Sequence, residues 1–102
     1  MATLHTVNKS PFQNQTLLSC LQHTKSGDAV LLIEDGVYGA TKGTALSDAV
    51  TGLSAGVKLY VLGSDLAARG IDVAKLGKDI TSVDYAGFVD LVADHDRTQN
   101  WL

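Results

Sequence analysis

One thiol stands out among the side chains that could do chemistry, because Cys20 is the only cysteine in the 102 residues. A single cysteine cannot form an internal disulfide, so Cys20 is an inert filler, an intermolecular partner or a reactive group. His23 and Thr24 follow three and four residues later and would be its neighbours on a helix. As a reactive group, Cys20 would lie exposed where His23 favours its thiolate. As a filler, it would be a half-buried small hydrophobe.

Two short polar segments are candidates for binding a small ligand. Glu34, Asp35 and Gly36 directly follow a predicted strand, at the edge where open α/β sheets bind ligands. Residues 7–10 (Val-Asn-Lys-Ser) form a second loop of this kind, whose amide and hydroxyl groups suit a phosphate. Because Asp-Gly and similar polar pairs are also common in turns, a purely structural interpretation stays open for both segments.

The other candidates favour structural roles. His5 lies in a predicted strand without a partner motif, so a hydrogen-bonded structural histidine is favoured over a catalytic base. His23 and His95 lie on predicted helices among polar neighbours, where we expect them to be solvated. Trp101 is an interface anchor or part of a frayed tail. No group of cysteine, histidine or carboxylate residues has the spacing of a metal site.

The elements that must position these residues alternate between strand and helix. Apolar runs bounded by turn residues predict strands at Thr3–Val7, 29–33, 57–62 and Ile80–Val83. Helical spacing and capping residues predict helices over residues 15–25, 44–54 and 64–69 and over Tyr85–Asp94. The alternation predicts one α/β domain over residues 1–102, with an open, mainly parallel sheet of four to five strands and helices on both faces, in flavodoxin-like layers.

Several details of these elements can be predicted as well. Leu4 and Val7 should face opposite sides of the sheet, because side chains alternate along a strand. Ser10 and Asn14 are equally good caps for the first helix. The helix over 64–69 should be capped by Ser64 or Asp65, and the last helix by Asp84, from which Phe88, Leu91 and Val92 form one apolar stripe.

Composition narrows the class of protein. Apolar residues make up 45% of the chain and charged residues 19%, below the roughly 25% typical of soluble domains, which favours self-association or a permanent partner. The net charge of −3 and the absence of basic runs exclude a nucleic-acid groove built by this chain alone. The first residues lack the layout of a signal peptide, and no apolar run approaches the ~20 residues of a membrane span. A lone cysteine then fits a reducing cytoplasm.

An ordered set of short motifs resembles one known family. The set comprises Leu4-His5-Thr6 with Ser10-Pro11, Leu31-Leu32 with Asp35-Gly36-Val37, Tyr60-Val61-Leu62 with Asp65 and Ala68-Arg69-Gly70, and Tyr85 with Phe88-Val89-Asp90-Leu91. Together they span about the whole chain and resemble the TusB/DsrH family, small subunits of intracellular sulfur-relay complexes. Because Cys20 lies in the first predicted helix, the chain is more similar to the DsrH branch than to TusB chains that lack this thiol.

The resemblance implies a fold, partners and a role. It implies a DsrE-like α/β domain in a cytoplasmic heterohexamer with two homologous subunits, one DsrE/TusD-like and one DsrF/TusC-like. Such complexes pass persulfide sulfur to an acceptor of the DsrC/TusE type, for sulfur oxidation or for 2-thiolation of wobble uridine in tRNA. The principal carrier cysteine belongs to the DsrE/TusD subunit, which leaves Cys20 as a candidate auxiliary persulfide carrier in a mainly structural subunit. No metal or cofactor is implied.

One function from a different class stays open. The chain could instead be a small module that binds flavin or nucleotide through the strand-end loops, without sulfur chemistry.

Overall fold

The computed structural model describes residues 2–9, 19–20, 23–40, 57–76 and 80–101. Five strands lie in these residues: β1 (Thr3–Val7), β2 (Ala29–Leu32), β3 (Lys58–Leu62), β4 (Ile80–Val83) and β5 (Arg97–Trp101). They form one sheet in the order β4-β3-β2-β1-β5, and every neighbouring pair is parallel. The predicted α/β class with a parallel sheet is confirmed.

Short helices connect these strands. The described residues contain two α-helices, α1 (Gly63–Ala68) and α2 (Tyr85–Asp94), and two 3-10 helices, Glu34–Ala40 and Val73–Lys75. Ser19 and Cys20 are also helical, but most of the helix predicted over 15–25 and all of that predicted over 44–54 lie outside the described residues. Within the part of the chain that is described, no helix is long and apolar enough to cross a membrane.

The strand order decides which face of the sheet each connection covers. The steps from β1 to β4 all run in one direction across the sheet, and only the step from β4 to β5 reverses. Because parallel crossovers are right-handed, we expect the described parts of the first three connections to lie on one face and α2 on the other. The packing agrees, since Cys20, Val37 and Leu66 share a core cluster with Val7 whereas Leu91 of α2 packs with Leu4.

The two faces therefore carry two separate apolar cores. The larger core contains Val7, Cys20, Val30, Leu32, Val37, Leu59, Val61, Leu66 and Leu76. The smaller core, under α2, contains Leu4, Ala29, Leu31 and Leu91. The predicted division of Leu4 and Val7 between the two faces is confirmed. All four residues of β2 are buried, as expected for a central parallel strand covered on both sides.

The elements fixed by local sequence agree with their predicted bounds. β1, β4 and α2 begin and end at the predicted residues. The carboxylate of Asp84 caps α2 by accepting a hydrogen bond from the backbone N–H of Gly87. The predicted stripe on α2 is only partly buried, because Leu91 is buried, Phe88 is half-buried and Val92 is exposed.

Other predicted bounds are wrong. The first helix does not extend through residues 23–25, because the N–H of Lys25 donates to the Asp28 carboxylate instead of continuing a helix. β2 ends one residue early at Leu32, and β3 begins one residue late at Lys58. The turn predicted at 34–36 is the start of a 3-10 helix, Glu34–Ala40.

The predicted caps of α1 are also wrong. This helix begins at Gly63 after Leu62, and no side chain caps it. The carboxylate of Asp65, a predicted cap, instead accepts a hydrogen bond of 2.7 Å from the backbone N–H of Glu34. Gly70 follows the helix with φ of +66°, as expected of a helix-ending glycine.

The sequence patterns predict no strand at Arg97–Trp101, where the structure has β5. β5 pairs along the whole length of β1, with Thr3 opposite Arg97 and Val7 opposite Trp101. Its start is held by Asp96, whose N–H donates to Ala2 O and whose carboxylate accepts from Ala2 N, both at 2.9 Å. The frayed-tail interpretation of Trp101 is therefore wrong.

Candidate functional site

A buried carboxylate organises the region beside β1 and β5. Asp28 immediately precedes β2 and accepts hydrogen bonds from the backbone N–H groups of Thr3 (3.0 Å) and Lys25 (3.1 Å). Its second oxygen also lies 3.0 Å from Nε2 of His5, and both side chains are buried. Although burial raises the pKa of Asp28, the hydrogen bonds from His5, Thr3 and Lys25 lower it more, so the pKa lies below its ordinary value.

The partners of His5 determine its tautomer. The indole Nε1 of Trp101 lies 3.0 Å from Nδ1 of His5, and an indole N–H can only donate. Nδ1 of His5 is therefore an unprotonated acceptor, and Nε2 carries the proton that is donated to Asp28. The imidazole is neutral and both of its nitrogens are occupied. This arrangement is the hydrogen-bonded structural histidine that the sequence favoured. We call Asp28, His5 and Trp101 the Asp28 network.

Cys20 lies in the larger core beside this network. Its exposed fraction is 0%, and Trp101 packs against the same core cluster. Burial raises the pKa of the thiol to about 12, and the negative charge of Asp28 contributes further in the same direction. The expected half-burial is wrong, because the side chain is completely buried in the larger core. In this conformation the thiol is thus protonated and inaccessible to solvent.

His23 does not activate the thiol in this structure. Its backbone N–H donates to the carbonyl of Cys20 at 2.9 Å, and its ring Nδ1 donates to Ser19 O at 2.7 Å. The ring also lies against Trp101, with 5.5 Å between centroids. The expectation that His23 is exposed is confirmed, although it lies in a turn and not on a helix. His95 is half-buried, and its Nδ1 donates to Leu91 O at the end of α2.

A cavity of about 590 Å³ opens beside the Asp28 network. His5, Asp28 and Trp101 form its inner wall, and the exposed side chains of Lys25 and Arg97 lie at its surface. The cavity therefore places two cations near a carboxylate that already accepts three hydrogen bonds. Among the described residues, no group of three or more histidine, cysteine or carboxylate side chains can hold a metal ion.

A second polar region lies at the carboxyl ends of β2 and β3. Nη2 of Arg69 lies 2.9 Å from the Asp35 carboxylate, and Nε donates to the same oxygen at 3.0 Å. Nη1 donates to the backbone carbonyl of Asp65 at 3.3 Å and lies 3.9 Å from its carboxylate. We call Arg69, Asp35 and Asp65 the Arg69 cluster. Asp35 is about half exposed, so solvent screens this cluster.

The structure brings the two predicted binding loops together at this edge. A Cβ on Gly36 would lie 2.2 Å from Val7 O and 3.5 Å from the Cα of Asn8, so only glycine fits this approach. Glu34 takes a φ of +50°, a strained value for a residue other than glycine. Oδ1 of Asn8 is buried and has no hydrogen-bond partner in the described structure. Ser10, the last residue of the first loop, lies outside the described residues.

Sequence reasoning missed Asp28 and Arg69. Asp28 lies in no motif, and Ala68-Arg69-Gly70 entered only the family resemblance, without a role for the arginine. Their roles come from partners 23 and 34 residues away.

Comparison with known proteins adds a family. Residues 9–98 match the family model described as DsrH like protein. Protein TusB of Escherichia coli O81 (strain ED1a) is 35% identical over 98 residues, which cover 96% of this chain and 99% of that protein. Protein TusB of Shigella dysenteriae serotype 1 is 34% identical over the same shares of both chains.

Two solved structures share the fold. The ychN protein from E. coli superimposes with a TM-score of 0.81 at 16% identity, covering 98% of this chain and 99% of its own. A Methanobacterium thermoautotrophicum protein described as being of unknown function has a TM-score of 0.70 at 18% identity, covering 91% and 90%.

Proposed function

The chain belongs to the TusB/DsrH family, and from that premise we propose that it is a subunit of a cytoplasmic sulfur-relay complex of the DsrEFH/TusBCD type. Its partners are two homologous subunits, one DsrE/TusD-like and one DsrF/TusC-like, in a heterohexamer. The complex hands persulfide sulfur to an acceptor of the DsrC/TusE type. That sulfur serves sulfur oxidation or 2-thiolation of wobble uridine in tRNA.

The observation that carries this proposal is similarity along nearly the whole chain. The relatives align over 96% of this chain and 99% of their own length, so the similarity covers every strand of the sheet. The low charged fraction supports a role in an assembly, because a small domain with few charges gains stability from a permanent partner.

The state of Cys20 supports a mainly structural contribution. A persulfide relay step needs a thiolate, which attacks the outer sulfur of a donor persulfide, forms a new S–S bond and releases the donor as a thiolate. Burial and a pKa of about 12 oppose this first step. We therefore assign Cys20 an auxiliary carrier role only in a state in which the cover over the larger core opens.

Mass spectrometry tests both parts of the proposal. Co-expression with the two related subunits, followed by native mass spectrometry, should give a complex that contains two copies of each chain. The complex is then loaded with a sulfur donor, and the cysteines that gain one sulfur atom are identified. Failure to co-purify with either subunit would contradict the assembly role, and stoichiometric loading of Cys20 would contradict the mainly structural one.

A single observation favours the flavin- or nucleotide-binding alternative. The buried, unpaired Oδ1 of Asn8 lies close to the Gly36 approach, at the edge where parallel sheets bind ligands. Among the described residues of the two loops and α1, the local charge opposes a phosphate, since the carboxylates Glu34, Asp35 and Asp65 outnumber the cations Lys9 and Arg69. A thermal-shift titration of the isolated chain with FMN separates the two functions. Saturable stabilisation without partners would favour ligand binding, and an unchanged melting temperature favours the relay.

A further inference from the structure

The cavity beside the Asp28 network is lined by two cations that have no anionic partner among the described residues. Lys25 and Arg97 both line this cavity of about 590 Å³, and both residues are exposed. Neither forms an ion pair with a described residue, in contrast to Arg69, which reaches two carboxylates. Like charges that line one cavity repel each other, and an anion that binds to both removes this repulsion.

The Asp28 carboxylate brings these two cations to the same place. It accepts hydrogen bonds from the backbone N–H groups of Thr3 and Lys25, which holds the turn that carries Lys25 against the first residue of β1. Thr3 in turn lies opposite Arg97 in the pairing of β1 with β5. Lys25 and Arg97 are therefore both neighbours of Thr3, although they lie far apart in the sequence.

The wall that β5 contributes is polar at one end and aromatic at the other. Because side chains alternate along a strand, Arg97, Gln99 and Trp101 share one side of β5, and all three line the cavity. The guanidinium and the amide can donate to the oxygen atoms of a ligand. The indole N–H already donates to His5, so Trp101 offers mainly its ring. An anion therefore fits the end at Arg97, and an apolar group fits the end at Trp101.

The carboxylate in the cavity wall does not neutralise the two cations. Asp28 is buried, and its oxygens accept hydrogen bonds from the N–H groups of Thr3 and Lys25 and from His5. None of the described ion pairs joins Asp28 to Lys25 or Arg97. With its histidines neutral, the lining has two cations and one carboxylate, whereas the whole chain has a net charge of −3. The cavity is thus locally positive on an acidic protein.

Two other cavities lined by described residues lack this arrangement. The cavity between α1, β4 and the first turn of α2 has no lysine or arginine in its described wall. In the cavity at the amino ends of β2 and β3, the cation Lys58 is accompanied by the carboxylates of Asp28 and Asp94. Of the three cavities, the one beside the Asp28 network is the one that suits an anion.

We infer that this cavity binds a tetrahedral oxyanion of the phosphate type through Lys25 and Arg97. Two cations match the charge of a dianion, and its several oxygen atoms can accept from the planar guanidinium and from the ammonium at the same time. The space along Trp101 accommodates a small organic group attached to the oxyanion. Only residues of this chain take part, so the site does not depend on the proposed assembly.

An NMR titration of the full-length, isotope-labelled chain locates the anion. Inorganic phosphate is added at constant ionic strength, and the resonances of the Thr3 amide, the Arg97 Nε–H and the Trp101 indole N–H are followed. Trp101 is the only tryptophan, so its indole N–H gives a single resonance. We expect saturable shifts that are largest at Arg97. The dissociation constant should be about 1 mM, an affinity that two charge-assisted hydrogen bonds can supply.

Removal of each cation tests the site against a matched control. Arg97→Gln and Lys25→Gln each remove one positive charge from this cavity, and Lys58→Gln removes one from an exposed residue of a different cavity. We expect phosphate to bind about tenfold more weakly to each of the first two variants, as for the loss of a charge-assisted hydrogen bond. Binding to Lys58→Gln should be unchanged. Circular dichroism checks that these exposed substitutions preserve the fold.

Phenyl phosphate distinguishes a free oxyanion from one that is carried by an organic group. Its ring can lie against the indole of Trp101 while its phosphate binds at Arg97. Tighter binding than that of inorganic phosphate, with a larger shift of the indole N–H, would assign the site to an organic ligand that ends in an oxyanion. Equal binding of the two probes would assign it to the free anion.

Other results would overturn the inference. Shifts that do not saturate, or that sodium chloride reproduces, would reflect screening of surface charge alone. Equal weakening in Lys58→Gln and Arg97→Gln would show that phosphate responds to net charge and not to this cavity. Saturable shifts at Asn8 and Gly36 would place the anion at the carboxyl ends of the strands instead. None of these results affects the proposed relay function, which is tested by assembly with the related subunits.

Discussion

The Asp28 network and the Arg69 cluster contain the same kinds of groups in opposite surroundings. In the first, a buried carboxylate accepts from two backbone N–H groups and from a neutral imidazole. In the second, the guanidinium of Arg69 reaches two carboxylates at a partly exposed edge. Burial makes each hydrogen bond of the Asp28 network hard to replace, whereas water can replace those of the Arg69 cluster. The stability of the domain should therefore depend on the network and hardly on the cluster.

Removal of the buried carboxylate should have the largest effect. Asp28→Ala leaves the N–H groups of Thr3 and Lys25 and Nε2 of His5 without their acceptor. We expect the free energy of unfolding to fall by about 3 kcal/mol or more, because each buried donor left without an acceptor costs about 1–3 kcal/mol. Urea unfolding followed by circular dichroism measures this change. A loss below about 1 kcal/mol would mean that water satisfies these donors and would remove the contrast between the two regions.

The acid limb of the stability curve gives an independent check on Asp28. Its pKa is lower in the folded state than in the unfolded state, so the folded state binds fewer protons at low pH. The stabilisation is present above the unfolded pKa of about 3.9 and is lost as the pH falls through the folded value. Asp28→Asn should make this acid-induced decrease in stability less steep than in wild type. An identical acid limb in both proteins would argue against the assigned hydrogen bonds.

Ionisation of Cys20 should produce the next largest effect, at alkaline pH. The ordinary pKa of the thiol is 9.0 and the folded value is about 12, so between them the unfolded chain loses this proton and the folded chain retains it. Stability should then fall by about 1.4 kcal/mol for each pH unit in this window. The measurement is urea unfolding from about pH 8 to about pH 11, on either side of the ordinary thiol pKa. Cys20→Ala is the control that lacks this proton. If the free energy of unfolding changed with pH in the same way in both proteins, the thiol would not be buried and protonated in the folded state.

The bond between Trp101 and His5 should contribute a smaller amount. Trp101→Phe keeps an aromatic ring but removes the donor to Nδ1 of His5, which leaves a buried acceptor unpaired. We expect a loss of about 1–3 kcal/mol. Gln99→Ala, an exposed change on the same strand, is the matched control and should stay within about 0.5 kcal/mol of wild type. Equal effects of the two substitutions would place Trp101 outside the network.

The Arg69 cluster should give the smallest effect. Arg69→Ala removes the ion pairs with Asp35 and Asp65 at an edge where solvent screens them. We expect the free energy of unfolding to fall by no more than about 1 kcal/mol. Urea unfolding at low and at high salt measures this change. Urea is used because guanidinium chloride, being a salt, would itself screen the ion pairs. A loss comparable to that of Asp28→Ala would mean that the exposed cluster stabilises the domain as much as the buried network does.

The same contrast explains how much of the molecule the sequence predicts. β1, β4 and α2 follow from short local patterns, an apolar run or an Asp84 cap, and their bounds agree with the structure. β5 carries mostly exposed polar residues and becomes a strand only because the edge of β1 is open. Trp101 and Asn100 bond to residues 96 and 94 positions away, which no local pattern encodes.

The candidate site was also predictable only in part, namely in the placement of its loops and not in the burial of its thiol. The approach of Gly36 to the end of β1 follows from the rule that ligand loops gather at the carboxyl ends of strands. The full burial of Cys20 does not follow from its helix alone, because its core cluster is assembled from strands and helices along the chain, with Trp101 packed against it. The expected half-burial was wrong because no local pattern encodes this cluster.

The central claim is that this chain is a mainly structural relay subunit whose thiol is buried and protonated. The most direct test measures sulfur transfer from the complex to its DsrC/TusE-type acceptor, with wild-type chain and with Cys20→Ser, in complexes of equal composition. We predict transfer rates that agree within about twofold, because a protonated, buried thiol is a poor nucleophile. A decrease of about tenfold or more in the Cys20→Ser complex would make Cys20 an obligatory carrier and would contradict the claim.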